Sequence, residues 1–410
     1  MWPNGMSRIG PHEIVTHLTW LSMKSDTVCH FSRGLLQYEQ LHQSIDDDKN
    51  KETHTMQNNV NLGILGFAHG HVNAYCNRWR ERPEMGVRLV AGWDHDAARM
   101  EKNCAMYGLR AYADADALLA DPDVQAVIIA AETSLHADLV ERAAAAGKAI
   151  VLQKPMALTL PEADRIVAAV ERSGVPFTMA WQMRVDPQNV QIKALLQSGE
   201  LGQVFMVRRR HGLGVHLWPN FTELWHARPE LNRDIWADDA AHAIDFILWL
   251  LGEPESVTAE IVTLHDPRVP MDNGVALFRY PNGPLAEVSC SFVCPALENT
   301  VEVIAEKGSI VQNYGDVPSC NVPRPADACG LKWYTVESGD WTCSDIPSPA
   351  HHGERIAGLA RPLAEFLRGG RPPIATAEEG RTALRMTLAC YVSVREGRRV
   401  RLDDPAIDQV

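Results

Sequence analysis

Three groups of residues in this sequence have the types and spacing for chemistry. The first is Gly66-Phe67-Ala68-His69-Gly70-His71, which lies between an apolar run and a helical stretch. Small residues at such a turn let backbone N–H groups at a helix N-terminus approach a pyrophosphate. Asp94 closes the next apolar run. A carboxylate there can accept from both hydroxyls of an adenosine ribose and would repel a 2′-phosphate, which favours NAD over NADP. Ala68 and His71 stand where two glycines are usual, so the pattern also suits an ordinary strand–helix turn. His69 and His71 suggest a metal pair, but no carboxylate or thiol neighbours them in sequence, and no metal is expected.

The second group is Gln153-Lys154-Pro155, just after another apolar run. Ligands of open parallel sheets bind outside the carboxyl ends of the strands, which puts Lys154 at a crevice. The third is Asp238-Asp239-Ala240-Ala241-His242-Ala243-Ile244-Asp245. Asp238 and His242 are about one helical turn apart, so an α-helix sets both on one face. A histidine suits proton transfer during alcohol oxidation. A helix start with acidic residues favourable to its dipole, followed by a core histidine, is the alternative.

The elements that must position these groups follow from the apolar pattern. Short unalternating runs at Val60–Leu65, Val87–Trp93, Ala126–Ala131 and Ala149–Leu152 read as buried parallel strands. Helical stretches at His71–Arg80, Ala97–Tyr107 and Ala137–Ala146 supply the crossovers. A helix at Leu160–Arg172 and a strand at Phe177–Ala180 close a doubly wound Rossmann domain over residues 58–180. Residues 181–403 read as an α+β domain with a large, mostly antiparallel sheet. It has a helix at Val190–Gln197 and a strand at Val204–Arg210, then an irregular stretch at Gly212–Arg233. A helix at Asp238–Leu251 follows, stopped by Gly252 and Pro254. Strands follow at Ser256–Leu264, Gly274–Arg279, Ala286–Val293 and Thr300–Ala305, with a turn at Pro281-Asn282-Gly283-Pro284. Helices at Arg355–Leu367 and Ala377–Arg395 close the chain, leaving 404–410 as a tail. Trp218, Trp225 and Trp236 can stack on a sugar face or pack in a core. Arg208 and Arg210 share one strand face, read as solvated or interfacial. His351-His352 reads as loop.

Together the three groups resemble the Gfo/Idh/MocA family (glucose–fructose oxidoreductase, inositol dehydrogenase and relatives) over about residues 58–403. The most specific markers are Asp123–Pro155, with Ser134-Leu135-His136, Gly147-Lys148 and Lys154-Pro155, and the helix Asp238-x-x-x-His242-x-x-Asp245. The resemblance implies that Lys154 touches both the substrate hydroxyl and the nicotinamide ribose. It implies that Asp238 and His242 form the acid/base pair and that the Lys154–Pro155 bond is often cis. It adds Glu132, His136 and Gln153 to the cofactor residues, and Arg184, with Trp236, to the substrate side. Glu132 stands where proline is common. Gln153 replaces the usual glutamate, keeping an acceptor but removing a charge that would help keep Lys154 protonated. The implied activity is NAD(P)-dependent hydride transfer with a secondary alcohol of a sugar, inositol or polyol. Two other functions share the scaffold: a glycosidase that oxidises and re-reduces its sugar on retained NAD, and a non-catalytic dinucleotide-binding regulator.

The bulk properties agree. At 410 residues, 46% hydrophobic and 22% charged, the chain is globular and long enough for two domains. A net charge of −13 argues against a nucleic-acid partner. No segment reads as a membrane span or signal peptide, so a cytoplasmic protein is expected. The nine cysteines, with Cys290 and Cys294 closest, form no framework pattern and read as free, mostly buried thiols. Residues 1–57, ending near the charged run Asp46–Glu52 and holding one possible helical turn at 35–41, read as a disordered or non-native extension. A translation start at Met56 is expected. The broad second sheet needs a cover, which a homodimer or homotetramer supplies.

Overall fold

A computed structural model of the chain describes residues 59–281, 283–320 and 329–410, with the backbone alone at 296–298, 314–320 and 352. The expectations for residues 1–57, for a start at Met56 and for Asn282 lie outside the described residues.

The first sheet is fully parallel, in the order β3-β2-β1-β4-β5-β6. Its strands are β1 (Val60–Leu65), β2 (Val87–Trp93), β3 (Arg110–Ala111), β4 (Ala126–Ile129), β5 (Ala149–Leu152) and β6 (Phe177–Met179). β4 is buried along its whole length, which is why it is an unbroken apolar run. The crossovers include α1 (His71–Glu81), α2 (Ala97–Tyr107), α3 (Ala115–Ala120), α4 (His136–Ala145) and α5 (Leu160–Ser173). Asp96 caps α2, and Thr159 with Glu162 forms a capping box on α5. The strand order reverses between β1 and β4, so the crevice at their carboxyl ends faces the Gly66–His71 turn.

α6 (Pro187–Ser198) leads into the second sheet. Its order is β14-β13-β12-β11-β7-β10-β9-β8-β15, antiparallel except where β7 (Val204–Gly212) meets β10 (Leu285–Ser291). β8 is Ser256–Val262, β9 Asn273–Arg279, β11 Ala296–Ala305 and β12 Gly308–Cys320. The edges are β13 (Leu331–Thr335), β14 (Trp341–Cys343) and β15 (Val400–Arg401). One face carries the core: Val207, Arg209 and His211 on β7 are buried there, and the Arg209 guanidinium lies 5.3 Å from the Phe246 ring centroid. Arg208 stays on the open face, bridging Glu287 and Glu302 at 3.1 Å each.

Four readings change. The closing helix expected from Arg355 is two helices, α9 (His352–Ala357) and α10 (Ala360–Leu367). His351 is not loop but the cap of α9, its Nδ1 accepting from the Glu354 N–H. The 404–410 tail is a packed 3₁₀ turn over Pro405–Gln409 that buries Ile407 completely. The cysteines are not all free thiols: Cys329 and Cys343, at the edge where β13 meets β14, form a disulfide. Their separation of 14 residues has no pattern value in sequence, and pairing of two edge strands brings them together. Cys76, Cys104, Cys290 and Cys390 remain buried and free.

The last long helix, α11 (Ala377–Glu396), is capped by Thr376 and Glu379 and packs against α5, β6 and β8. It therefore touches both sheets.

Candidate active site

The nucleotide turn is built by close approach. Gly66 has φ of +89°, and a Cβ there would lie 2.4 Å from the Ala131 backbone, so only glycine fits between β1 and β4. A Cβ on Gly70 would meet nothing within 4 Å, so this glycine faces open space. His69 is buried, and neither ring nitrogen has a hydrogen-bond partner among the described residues. Burial, with repulsion from His71 and Lys154, pushes its pKa well down, so the ring is neutral. The Gln153 Oε1 is likewise orphaned, while its Nε2 donates to the Tyr75 hydroxyl at 3.1 Å. Buried polar atoms left unpaired are costly, and a ligand that supplies partners relieves them. The cradle and its orphans fit a dinucleotide.

Asp94 is placed differently from the expectation. Its side chain is fully buried and its two oxygens already accept from Phe67 N, Asp96 N and, at 2.7 Å twice, from Arg99. Arg99 also donates to Glu132 at 2.8 Å. Asp94 and Glu132 thus hold Arg99 between them. His136 is fully buried. Its Nδ1 lies 2.9 Å from the Pro155 carbonyl and its Nε2 3.2 Å from that of Ala131. It fixes the turn carrying the cis Lys154–Pro155 bond.

Lys154, Asp238 and His242, the groups expected to react, lie close together. Trp236–Ala240 winds as one π turn and enters α8 (Ala241–Leu251). The i→i+5 spacing rotates the side chains relative to an α-helix, so the expected Asp238–His242 pair is replaced. Asp238 turns to Lys154, whose Nζ donates to Oδ1 at 2.9 Å, and to His226 Nδ1, 2.8 Å from Oδ2. Asp239 is the carboxylate beside His242: its Oδ1 is 3.6 Å from Nε2 and 3.7 Å from Lys154 Nζ. Its Oδ2 lies 3.3 Å from His211 Nε2. Gln182 Nε2 sits 3.3 Å from His242 Nε2.

All these carboxylates and the lysine are buried, and their mutual pairing decides their charge. Burial pushes Lys154 down, but Asp238 and Asp239 more than offset it, so its pKa is raised and it stays an ammonium. Burial pushes Asp238 up, yet Lys154 and His226 hold it well below the carboxylate range. Asp239 is lowered too, burial being outweighed by His211 and Lys154. The site thus holds a fixed cation and two fixed anions among the rings of His69, His71, His211, His226 and His242. Such a set can hold an oxygen as its charge changes and move a proton. Among the described residues, no group of three His, Cys, Asp or Glu side chains has a metal-binding arrangement.

Two expected substrate residues lie elsewhere. Arg184 is buried with its donors taken by Asp245, at 2.7 Å and 3.0 Å, and by Glu379 at 2.7 Å. It clamps α8 to α11 because a buried guanidinium requires carboxylate partners. Trp236 is fully buried against Gly274, where a Cβ would lie 2.6 Å from its ring, so it packs rather than faces a sugar. Trp225 is the tryptophan at the site: its Nε1 donates to the Ala68 carbonyl at 3.1 Å. Gln182, His211 and His226 were not singled out. Alternation on β7 marks His211 as inward with Val207 and Arg209; His226, in the irregular 212–233 segment, carries no such signal.

Known proteins resemble both halves of the chain. The family described as "Oxidoreductase family, NAD-binding Rossmann fold" matches residues 60–181, and the "GFO/IDH/MocA C-terminal domain" matches residues 189–311. D-apiose dehydrogenase of Paraburkholderia graminis is 27% identical, with 83% of this chain and 88% of that protein covered. scyllo-Inositol 2-dehydrogenase (NAD(+)) of Bacillus subtilis is 26% identical, covering 85% of this chain and 98% of that protein. The structure of a levoglucosan dehydrogenase with NADH and levoglucosan shares the fold at a TM-score of 0.70 and 21% identity, covering 84% of this chain and all of that one. The two matched domains, in this order along one chain, identify it as a member of the Gfo/Idh/MocA oxidoreductase family, with an NAD-binding Rossmann domain.

Proposed function

We infer that this protein transfers a hydride between NAD and a secondary alcohol of a sugar, inositol or related polyol. The observation that carries the reading is the meeting of Lys154 and His242, distant in sequence, on the two sides of one Asp239 oxygen. Relatives named as apiose, inositol and levoglucosan dehydrogenases support the substrate class.

The bound nicotinamide supplies the hydride acceptor. The chain's own residues do the rest. Lys154, held charged by Asp238 and Asp239, donates to the substrate oxygen and stabilises it as negative charge develops. His242 takes the hydroxyl proton, and Asp239 stabilises the imidazolium that forms. Gln182 orients the His242 ring. Trp225, fastened to the Ala68 carbonyl, covers the nucleotide turn. NAD is preferred over NADP: the matching family is described as NAD-binding, and Arg99, the cation beside Asp94, is already neutralised by Asp94 and Glu132.

A homo-oligomer is part of this proposal. Val262, Val275, Leu277 and Ile304 stand exposed on the second sheet's open face beside the Arg208–Glu287–Glu302 ion pairs, and a second copy covers this mixed face. Light scattering of purified protein tests it, and a monomer at micromolar concentration refutes it. So is a cytoplasmic location: four buried free thiols favour it, the Cys329–Cys343 bond opposes it, and thiol labelling of protein taken directly from cells decides. Among the described residues no helix is long and apolar enough to cross a membrane.

The function itself is tested by screening neutral polyols, inositols, sugars and sugar acids with NAD and NADP, following reduced-cofactor absorbance. Turnover of a polyol is expected; NADH binding with no turnover across the screen refutes the dehydrogenase reading.

A further inference from the structure

Of the three tryptophans named from sequence, Trp225 fastens the nucleotide turn and Trp236 packs in the core. Trp218 does neither. It is half-buried at a second cavity, of about 280 Å³, outside the Lys154–His242 group. The cavity lies between the 3₁₀ turns Val215–Leu217 and Phe221–Glu223 and the connection from β8 to β9. Asn220, at φ of +57°, turns the chain between the two 3₁₀ segments, a backbone that asparagine tolerates. Trp218 and Phe221 thereby meet edge to face, with ring centroids 5.5 Å apart. His216, from the first turn, meets His265, from the β8–β9 connection, at 5.1 Å.

The charges narrow what such a cavity can hold. Glu223 and Asp266 bring two carboxylates and Arg268 one guanidinium. Arg268 Nη2 donates to Asp266 at 2.7 Å, and the Arg268 hydrogen bonds pull that carboxyl down to about 2. These two charges offset each other. Glu223 remains, so the wall repels an anion. Among the described residues no three His, Cys, Asp or Glu side chains stand as metal ligands, so His216, His265 and Glu223 are not a cation site. What is left is an indole with a carboxylate, an amide and two imidazoles around it. Aromatic walls with a few placed polar groups are the usual make-up of a small-molecule pocket, and the volume is at the small end of the range of roughly 300–1,000 Å³.

We propose that this cavity binds one neutral sugar ring. The apolar C–H face of the sugar lies on Trp218. Its hydroxyls donate to Glu223, a charge-assisted bond, and exchange hydrogen bonds with Asn220 and the imidazoles. The site goes beyond hydride transfer and does not depend on it. Phe221 is a wall shared with the active site: it lines the cavity, and its ring runs at 12° to that of His226, with centroids 6.1 Å apart. His226 in turn holds Asp238. The bound ring therefore has two sources, a further unit of a glycoside whose other ring is oxidised, or a free sugar held beside the substrate.

The test uses saturation-transfer NMR on full-length wild type, W218A, E223A and the active-site variant K154M. The probes are D-glucose, D-galactose, methyl β-D-glucoside, cellobiose and lactose. At least one is expected to bind wild type and K154M alike, and its Kd is expected to rise about 10-fold in W218A and in E223A, the scale of a lost stacking or charged hydrogen-bond contact. NADH affinity unchanged in W218A and E223A reports that both are folded. With any disaccharide that wild type oxidises, a KM raised by W218A identifies the ring as part of the substrate; an unchanged KM beside lost binding identifies a free sugar. Sugar binding that survives W218A and E223A but vanishes in K154M overturns the proposal, as does binding of none of the probes. A wild type that binds sugar at Trp218 yet oxidises no polyol refutes the dehydrogenase reading alone.

Discussion

The indole N–H of Trp225 donates to the carbonyl of Ala68 at 3.1 Å, tying the irregular segment of the second domain to the nucleotide turn of the first. The bond fastens the Gly66–His71 turn at Ala68. It also sets the Trp225 ring against His69 at 5.9 Å and His226 at 3.9 Å. W225F keeps the ring and removes the donor. A hydrogen bond of this kind contributes ~1 kcal/mol, so NADH affinity is expected to fall roughly fivefold. Fluorescence titration measures it, and an unchanged Kd refutes a role for the bond in cofactor binding.

His242→Ala is expected to lower turnover on the order of 10²-fold or more, the range for lost acid/base help. D239N is expected to follow it more closely than D238N in the pH dependence of kcat, since Asp239 is the carboxylate beside the ring. Turnover at the wild-type level in His242→Ala refutes the assignment.

Arg184 separates two roles, because the resemblance puts it with substrate and the structure buries it between Asp245 and Glu379. Removing one partner of a buried ion pair leaves a charge uncompensated, at about 3–5 kcal/mol. R184M is therefore expected to lose that much in chemical denaturation while KM of the folded enzyme stays within a factor of about two. A stable variant with a large KM increase reverses the correction.

Asp234 supplies a pH signature of the fold. Burial pushes its carboxyl up to about 6, against the pull of the Tyr391 hydroxyl at 2.6 Å and the Ala237 N–H. A carboxyl raised in the folded state contributes stability below its unfolded pKa of ~3.9 and loses it as pH rises through 6. D234N retains an acceptor and does not ionise. Relative to wild type it is expected to gain on the order of 1 kcal/mol between pH 5 and pH 8. A difference that stays constant with pH contradicts the assignment.

Much of the fold was legible, for a physical reason. β1, β2, β4 and β5 are mostly buried apolar runs whose boundaries are set by the sheet itself, and α1, α2 and α4 lie between them where helical stretches are read, while the short α3 is not signalled. Lys154 was legible as a crevice residue because the carboxyl ends of parallel strands form the crevice. What escaped depends on winding and on partners far along the chain. A helical pattern does not distinguish α from π, so the carboxylate facing His242 was misassigned by one residue. Arg184 reads as a free cation until Asp245 and Glu379 arrive. Asp94 reads as a ribose acceptor until Arg99 fills it. His226 has no periodicity at all, because the segment that carries it is shaped by single contacts to Ala68, Asn232 and Asp238.

α11 reaches across the molecule from the final part of the chain. Its Glu379 completes the Arg184 clamp, Tyr391 holds Asp234 ahead of the π turn, and Arg381 bonds Asp164 on α5. During synthesis the nucleotide half emerges first and can assemble its own sheet. The residues that hold Asp238, Asp239 and His242 in place emerge well after it. A nascent chain halted before residue 377 therefore has the Gly66–His71 turn but lacks the Glu379, Arg381 and Tyr391 contacts that hold Arg184, Asp164 and Asp234.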